Sequence, residues 1–141
     1  MNPRDYYERL IKELPTGADR SVLRVLSYHQ GQAEAIQKPD LMAECAKLGT
    51  RLSDERQIRL VIVRLRKQGI PICSSSGDSG YFLAASMAEY QEFRGREYVK
   101  KIQDMRETVA AMDGRVRAMF PAEYAEYKRQ QDLEAGQPQL L

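Results

Sequence analysis

Residues 53–84, SDERQIRLVIVRLRKQGIPICSSSGDSGYFLA, change their apolar period at Gly69, and that change limits the folds open to the chain. Before Gly69 the pattern is helical. At about 100° per residue, Ile58, Val61, Ile62 and Leu65 share one apolar sector, with Arg56, Arg59, Leu60, Val63, Arg64 and Lys67 opposite. Ser53 is placed to cap this helix, predicted over 53–68, with Asp54 and Glu55 in its positive first turn. After Gly69, Ile70 and Ile72 alternate with Pro71 and Cys73, and a second bulky run covers 81–84. Proline cannot donate to a ladder, so the first run is an edge strand or a strand's opening residues. Residues 74–79, rich in Ser, Gly and Asp, form the tip of a short hairpin.

Shorter helices flank this unit. Pro3 suits a helix start, with Tyr6, Tyr7, Leu10, Ile11 and Leu14 at helical spacing, and residues 15–17 (Pro-Thr-Gly) end it. Asp19 is placed to cap a second helix with Val22, Leu23, Val25 and Leu26 on its inner face. A polar connection over 31–38 leads to Pro39 and Asp40, which open a third helix over 41–48. Leu41, Cys45 and Leu48 lie on one stripe there, and Gly49 stands at the C′ position.

The formal net charge is +2, and its distribution is uneven. Residues 1–19 carry three basic and four acidic groups, and residues 86–141 carry nine and ten. Residues 20–85 carry ten basic against six acidic groups. Arg51, Arg56, Arg59, Arg64, Arg66 and Lys67 there oppose only Asp54 and Glu55, the local footprint expected of phosphate contacts. A major groove admits one helix whose arginines grip phosphates or guanine edges, while Leu60 and Val63 on the same face meet thymine methyls. Two features oppose this reading: the acidic pair at the helix start, and a hairpin tip with Asp78 and no Lys or Arg.

The run Arg51-x-Ser53-x-x-Arg56-Gln57-Ile58-Arg59-x-x-Ile62-x-x-Leu65-Arg66-x-x-Gly69-Ile70-Pro71-Ile72, followed by Gly80-Tyr81-Phe82-Leu83, resembles the helix-turn-helix and wing of prokaryotic and phage winged-helix proteins. It is similar to the biotin-operon-repressor type of N-terminal domain. The resemblance covers residues 19–86 and implies that the helix over 53–68 is the recognition helix. The DNA-facing set then comprises Arg51, Ser53, Arg56, Gln57, Arg59, Val63, Arg64 and Lys67, joined by Ser75 and Ser76 of the wing. The expected fold is mainly α with a small β-hairpin: an N-terminal helix over 1–18, the winged helix over 19–86, a helical assembly region over 87–134 and a mobile tail over 135–141.

In the C-terminal region Tyr98, Ile102, Met105, Val109, Met112, Val116 and Met119 recur at alternating steps of four and three. Such a seam suits a helix packed lengthwise on another, and Tyr98, Ile102, Met105, Val109, Met112 and Val116 are the expected homodimer contacts. In a parallel pair Lys101 and Arg106 repel each other, so antiparallel pairing, or folding back onto the N-terminal helix, stays open. Gly114 is a candidate break, and a last short amphipathic helix is expected over 121–134 through Tyr124, Tyr127 and Leu133.

Nothing points to catalysis, a metal or a cofactor. There is no phosphate loop, His-Glu-x-x-His or GxSxG motif. The lone His29 reads as a capping or solvated side chain, and Glu123 with Glu126 as a solvated pair. Cys45 and Cys73 lack ligand spacing and read as buried thiols in a reducing cytoplasm. No apolar run is long enough to span a membrane, and no signal peptide opens the chain. The expected function is that of a double-stranded DNA-binding transcriptional regulator of bacterial or phage origin. The alternative is a winged helix serving protein contact in a phage replication or assembly complex.

Overall fold

The computed structural model describes residues 2–77 and 80–136 and is mainly helical with one small antiparallel hairpin. The chain divides into two compact units, Met1–Arg96 and Glu97–Leu141.

In the first unit α1 (Pro3–Glu13), α2 (Ala18–Leu26), α3 (Lys38–Lys47) and α4 (Glu55–Lys67) precede β1 (Ile72–Ser74) and β2 (Tyr81–Leu83), and α5 (Met87–Arg94) follows. Asn2 caps α1 by accepting the Asp5 N–H at 2.9 Å. Most of the apolar periodicity became the core, Tyr6 and Leu48 excepted. Val22, Leu23, Val25 and Leu26 of α2, Leu41 and Cys45 of α3, and Ile58, Val61, Ile62 and Leu65 of α4 are all buried. With Tyr7 and Ile11 of α1 and Ile70, Ile72, Tyr81 and Leu83 near the hairpin they form one cluster. Gly49 and Gly69 take φ of +86° and +93° just beyond α3 and α4, a left-handed turn that a side chain would strain.

Several boundaries differ from the sequence reading. The N-cap of α2 is Gly17 rather than Asp19, which sits in the first turn with its carboxylate engaged by Arg64. Helix α3 begins at Lys38, ahead of Pro39, because a proline in the first turn gives up only an N–H that has no helical partner. Leu48 is its C-cap and half exposed, so the buried stripe is Leu41 and Cys45. The N-cap of α4 is Asp54 and not Ser53, and the helix closes at Lys67. The strands lack Ile70 and Ala84, pairing Ile72 with Leu83, Cys73 with Phe82 and Ser74 with Tyr81.

The segment read as a polar connection does more than connect. Ile36 is buried and exchanges both backbone hydrogen bonds with Tyr81, at 2.9 and 2.8 Å. Gly31 N–H donates to Leu83 O and Leu83 N–H to His29 O, each at 2.9 Å. β2 is therefore flanked on both sides and β1 is the edge, one of the two placements Pro71 allows, with Pro71 itself just ahead of the strand. The pattern was hidden because a single apolar residue, Ile36, carries the pairing.

Long-range polar contacts bind α1 and α5 to this unit. Tyr7 Oη donates to Ala84 O at 2.8 Å, and Arg24 donates to both oxygens of Glu8 at 2.8 and 3.0 Å. Glu89 accepts from Gln32 N–H at 2.8 Å and Ala85 N–H at 3.0 Å. Phe93 of α5 is buried with Cys73, Phe82 and Ala84 in a second cluster.

Cys45 and Cys73 are fully buried free thiols. Burial pushes both up to about 11, with Glu44 adding to the effect at Cys45. Because the folded values are raised, the thiols' contribution to stability is fully present below the unfolded value near 9 and is lost as pH rises through about 11. Denaturant midpoints should therefore fall from pH 8.5 to pH 11. At pH 8 a colourless thiol reagent should label both cysteines only after unfolding; prompt labelling of the native chain would mean that these sites open readily.

The second unit contains α6 (Lys100–Met119) and α7 (Pro121–Ala135), and a π-helical stretch, Gly95–Val99, spans the boundary between the units. Gly114 does not break α6, since a lone glycine costs only about 1 kcal/mol in a helix. Phe120, with φ −133° and ψ 63°, ends α6 and precedes Pro121. Tyr124 is the buried residue of α7, its ring under the Arg117 guanidinium at 5.2 Å. Tyr127 and Leu133 are exposed. Ala135, assigned to the tail by sequence, is the last residue of α7, and Gly136 is its C-cap. Residues 137–141 of that tail lie outside the described residues, as do Asp78 and Ser79 of the hairpin tip.

Candidate nucleic-acid interface

The polar ends of α4 decide which of its side chains are available to a ligand. Asp54 Oδ1 accepts the Gln57 N–H at 3.0 Å, and Gln57 Oε1 accepts the Ser53 N–H at 2.7 Å. This reciprocal arrangement satisfies donors that the helix start leaves open. It engages the backbone N–H of Ser53 and the side-chain oxygen of Gln57, both residues expected as DNA contacts, in the start of the helix. The Asp54 and Glu55 charges stand at the helix N-terminus, where they complement its dipole.

The arginines divide by partner. Arg64 is drawn to Asp19 of α2, its Nη2 2.7 Å and Nε 3.2 Å from Oδ1, and this bond raises its already high pKa. Arg66 turns inward. Its Nε donates to Ile72 O at 2.8 Å, and its guanidinium lies 4.8 Å from the Phe93 ring and 5.9 Å from the Tyr81 ring. These two cations hold α4 against α2, the hairpin and α5. Arg51, Arg56, Arg59 and Lys67 are exposed, and none has a carboxylate within 4.0 Å among the described residues. Leu60 and Val63, 50% and 45% exposed, lie between them.

The hairpin meets the last turn of α4 through Arg66. The Tyr81 hydroxyl is shifted up by burial, an effect opposed by nearby Arg66 and Arg59 and reinforced by Glu55. Lys38, in the first turn of α3, lies over the same ring with Nζ 5.9 Å from its centre. Lys38 was missed by sequence reasoning. Its only signal was a lysine directly before Pro39, and its relation to Tyr81 requires the pairing of Ile36 with β2. Of the two hairpin-tip serines expected to meet DNA, Ser75 is half-buried with its N–H donating to Gly80 O at 3.2 Å, while Ser76 is exposed.

His29 hydrogen-bonds through Nδ1 to Glu34 O at 2.7 Å, a local tie within the 29–36 segment. A shallow cleft lined by Thr16, Gly17, Arg20, Ser21, Arg24 and Leu48 brings together no carboxylate, histidine or thiol. No described helix is long and apolar enough to cross a membrane. Comparison with protein-family models, curated proteins and solved structures finds no match.

Proposed function

We propose that the unit spanning residues 1–96 binds double-stranded DNA by laying α4 in the major groove, as a bacterial or phage transcriptional regulator would. The reading is carried by the outer face of α4, where Arg56, Arg59 and Lys67 are exposed, have no acidic partner among the described residues, and flank Leu60 and Val63. Helix α4 is braced from behind by α2 and α3 and from the side by the hairpin, so these side chains project from a rigid element. Arg51 extends the basic strip into the turn before α4, and Lys38 continues it beside Tyr81. Arginine suits both phosphate and guanine, and the two apolar side chains suit thymine methyl groups.

The competing reading is a winged helix that contacts protein. Asp54 and Glu55 at the start of α4, and the absence of Lys or Arg from residues 74–80, favour it.

Titrating the chain against random duplex DNA at about 50 and 200 mM salt separates the two. Four phosphate contacts give a log–log slope of about −3.6, so affinity should fall on the order of a hundredfold over that interval. Absence of binding at 50 mM would transfer the assignment to protein contact.

A further inference from the structure

Helix α6 displays an apolar seam that α7, the other helix of its unit, leaves exposed among the described residues. Ile102, Met105, Val109, Met112, Val116 and Met119 are between 40% and 68% exposed, along a helix of twenty residues, about 30 Å. Isolated exposed apolar residues are ordinary, but a sustained stripe at steps of three and four is the seam of a helix pair. β-branched residues fill one position of the repeat (Ile102, Val109 and Val116) and methionines the other (Met105, Met112 and Met119).

We infer that α6 pairs with α6 of a second copy of this chain, antiparallel, with Val109 opposite Met112 of the other copy about the two-fold axis. The charges flanking the seam choose this arrangement. In a parallel pair Lys101 faces Arg106 of the other helix, twice by symmetry, and both are cations. In the antiparallel pair the layers are Ile102 with Met119, Met105 with Val116, and Val109 with Met112. The flanking groups Arg106 and Asp113 then face each other across the interface, again twice. Sliding one helix by a heptad either way sets Arg106 against Arg106 or Asp113 against Asp113, so the same two residues also fix the register. Among the described residues neither has an ion-pair partner within its own chain. They are two turns apart on one helix, too far for an ordinary i,i+4 pair. The inference does not rest on DNA binding.

Arg106→Asp discriminates the arrangements by the sign of its effect on self-association, followed in the full chain by sedimentation equilibrium. In the antiparallel pair it sets two like-charged pairs face to face and should weaken the dimer about tenfold, while Arg106→Asp with Asp113→Arg restores it. Strengthening by Arg106→Asp alone would establish the parallel pair and overturn the proposal. A chain that stays monomeric at high micromolar concentration would overturn it as well and make a different protein the seam's occupant. Far-UV circular dichroism confirms that each variant keeps its helices. A nitroxide at Gln103 gives an independent reading: antiparallel copies hold the two labels more than about 20 Å apart, and parallel copies hold them side by side.

Discussion

Replacing Arg56 and Arg59 together with alanine is expected to weaken binding to duplex DNA on the order of a hundredfold at low salt. Each such contact contributes roughly a factor of ten, and the salt slope should shrink by about two. Both side chains are exposed and uncommitted, so the substitutions remove no contact that holds the fold together. Arg64→Ala is the informative contrast. Its guanidinium already serves Asp19, and its loss should change affinity by no more than about threefold. Gel-shift or anisotropy titrations at two salt concentrations, with thermal melts to verify folding, provide the comparison. Unchanged affinity in a folded Arg56→Ala, Arg59→Ala chain would remove α4 as the recognition element. Equal losses from Arg64→Ala and from the pair would mean that Arg64 leaves Asp19 for DNA.

Ile11→Ala is expected to cost about 2–5 kcal/mol of stability. Ile11 is fully buried among the side chains of the main core, although it lies in the first helix, ahead of α2–α4. A unit of this size has about 5–15 kcal/mol in total, and the melting temperature should fall by roughly 10–30 °C. Tyr6→Ala, at an exposed position five residues earlier, should be close to silent. The difference between these two melts measures how far α1 belongs to the core. A loss below about 1 kcal/mol for Ile11→Ala would make α1 an appendage that the remaining helices do not need.

Much of the interior was legible because it depends on periodicity. Ile58, Val61, Ile62 and Leu65 had to share a face once residues 55–67 were helical, and Gly49 and Gly69 had to end helices because few other residues take positive φ. The α6 seam was legible for the same reason and is exposed along its length. The strand pairing of Ile36 was not legible, since one apolar residue among polar neighbours has no period. Capping was half legible: the composition at 53–57 announced a helix start, but whether Ser53 or Asp54 closes it turns on a single residue of register.

The candidate interface shows the same division. Sequence alone determined that residues 51–67 concentrate basic groups on the side of a helix opposite its apolar face, because that follows from identity and angle. It could not determine which of those groups are at liberty. Arg64 is taken by Asp19, 45 positions away, Arg66 by Ile72 and the Phe93 ring, and Gln57 by the backbone before the helix, while Lys38 arrives beside Tyr81 through a strand pairing. A charged side chain settles on whichever partner the packed chain brings within hydrogen-bonding reach, and that distance exists only once the helices have docked. The sequence therefore set the charge and the face; tertiary structure decided that, of the cations in this stretch, Arg51, Arg56, Arg59 and Lys67 stay exposed with no acidic partner among the described residues.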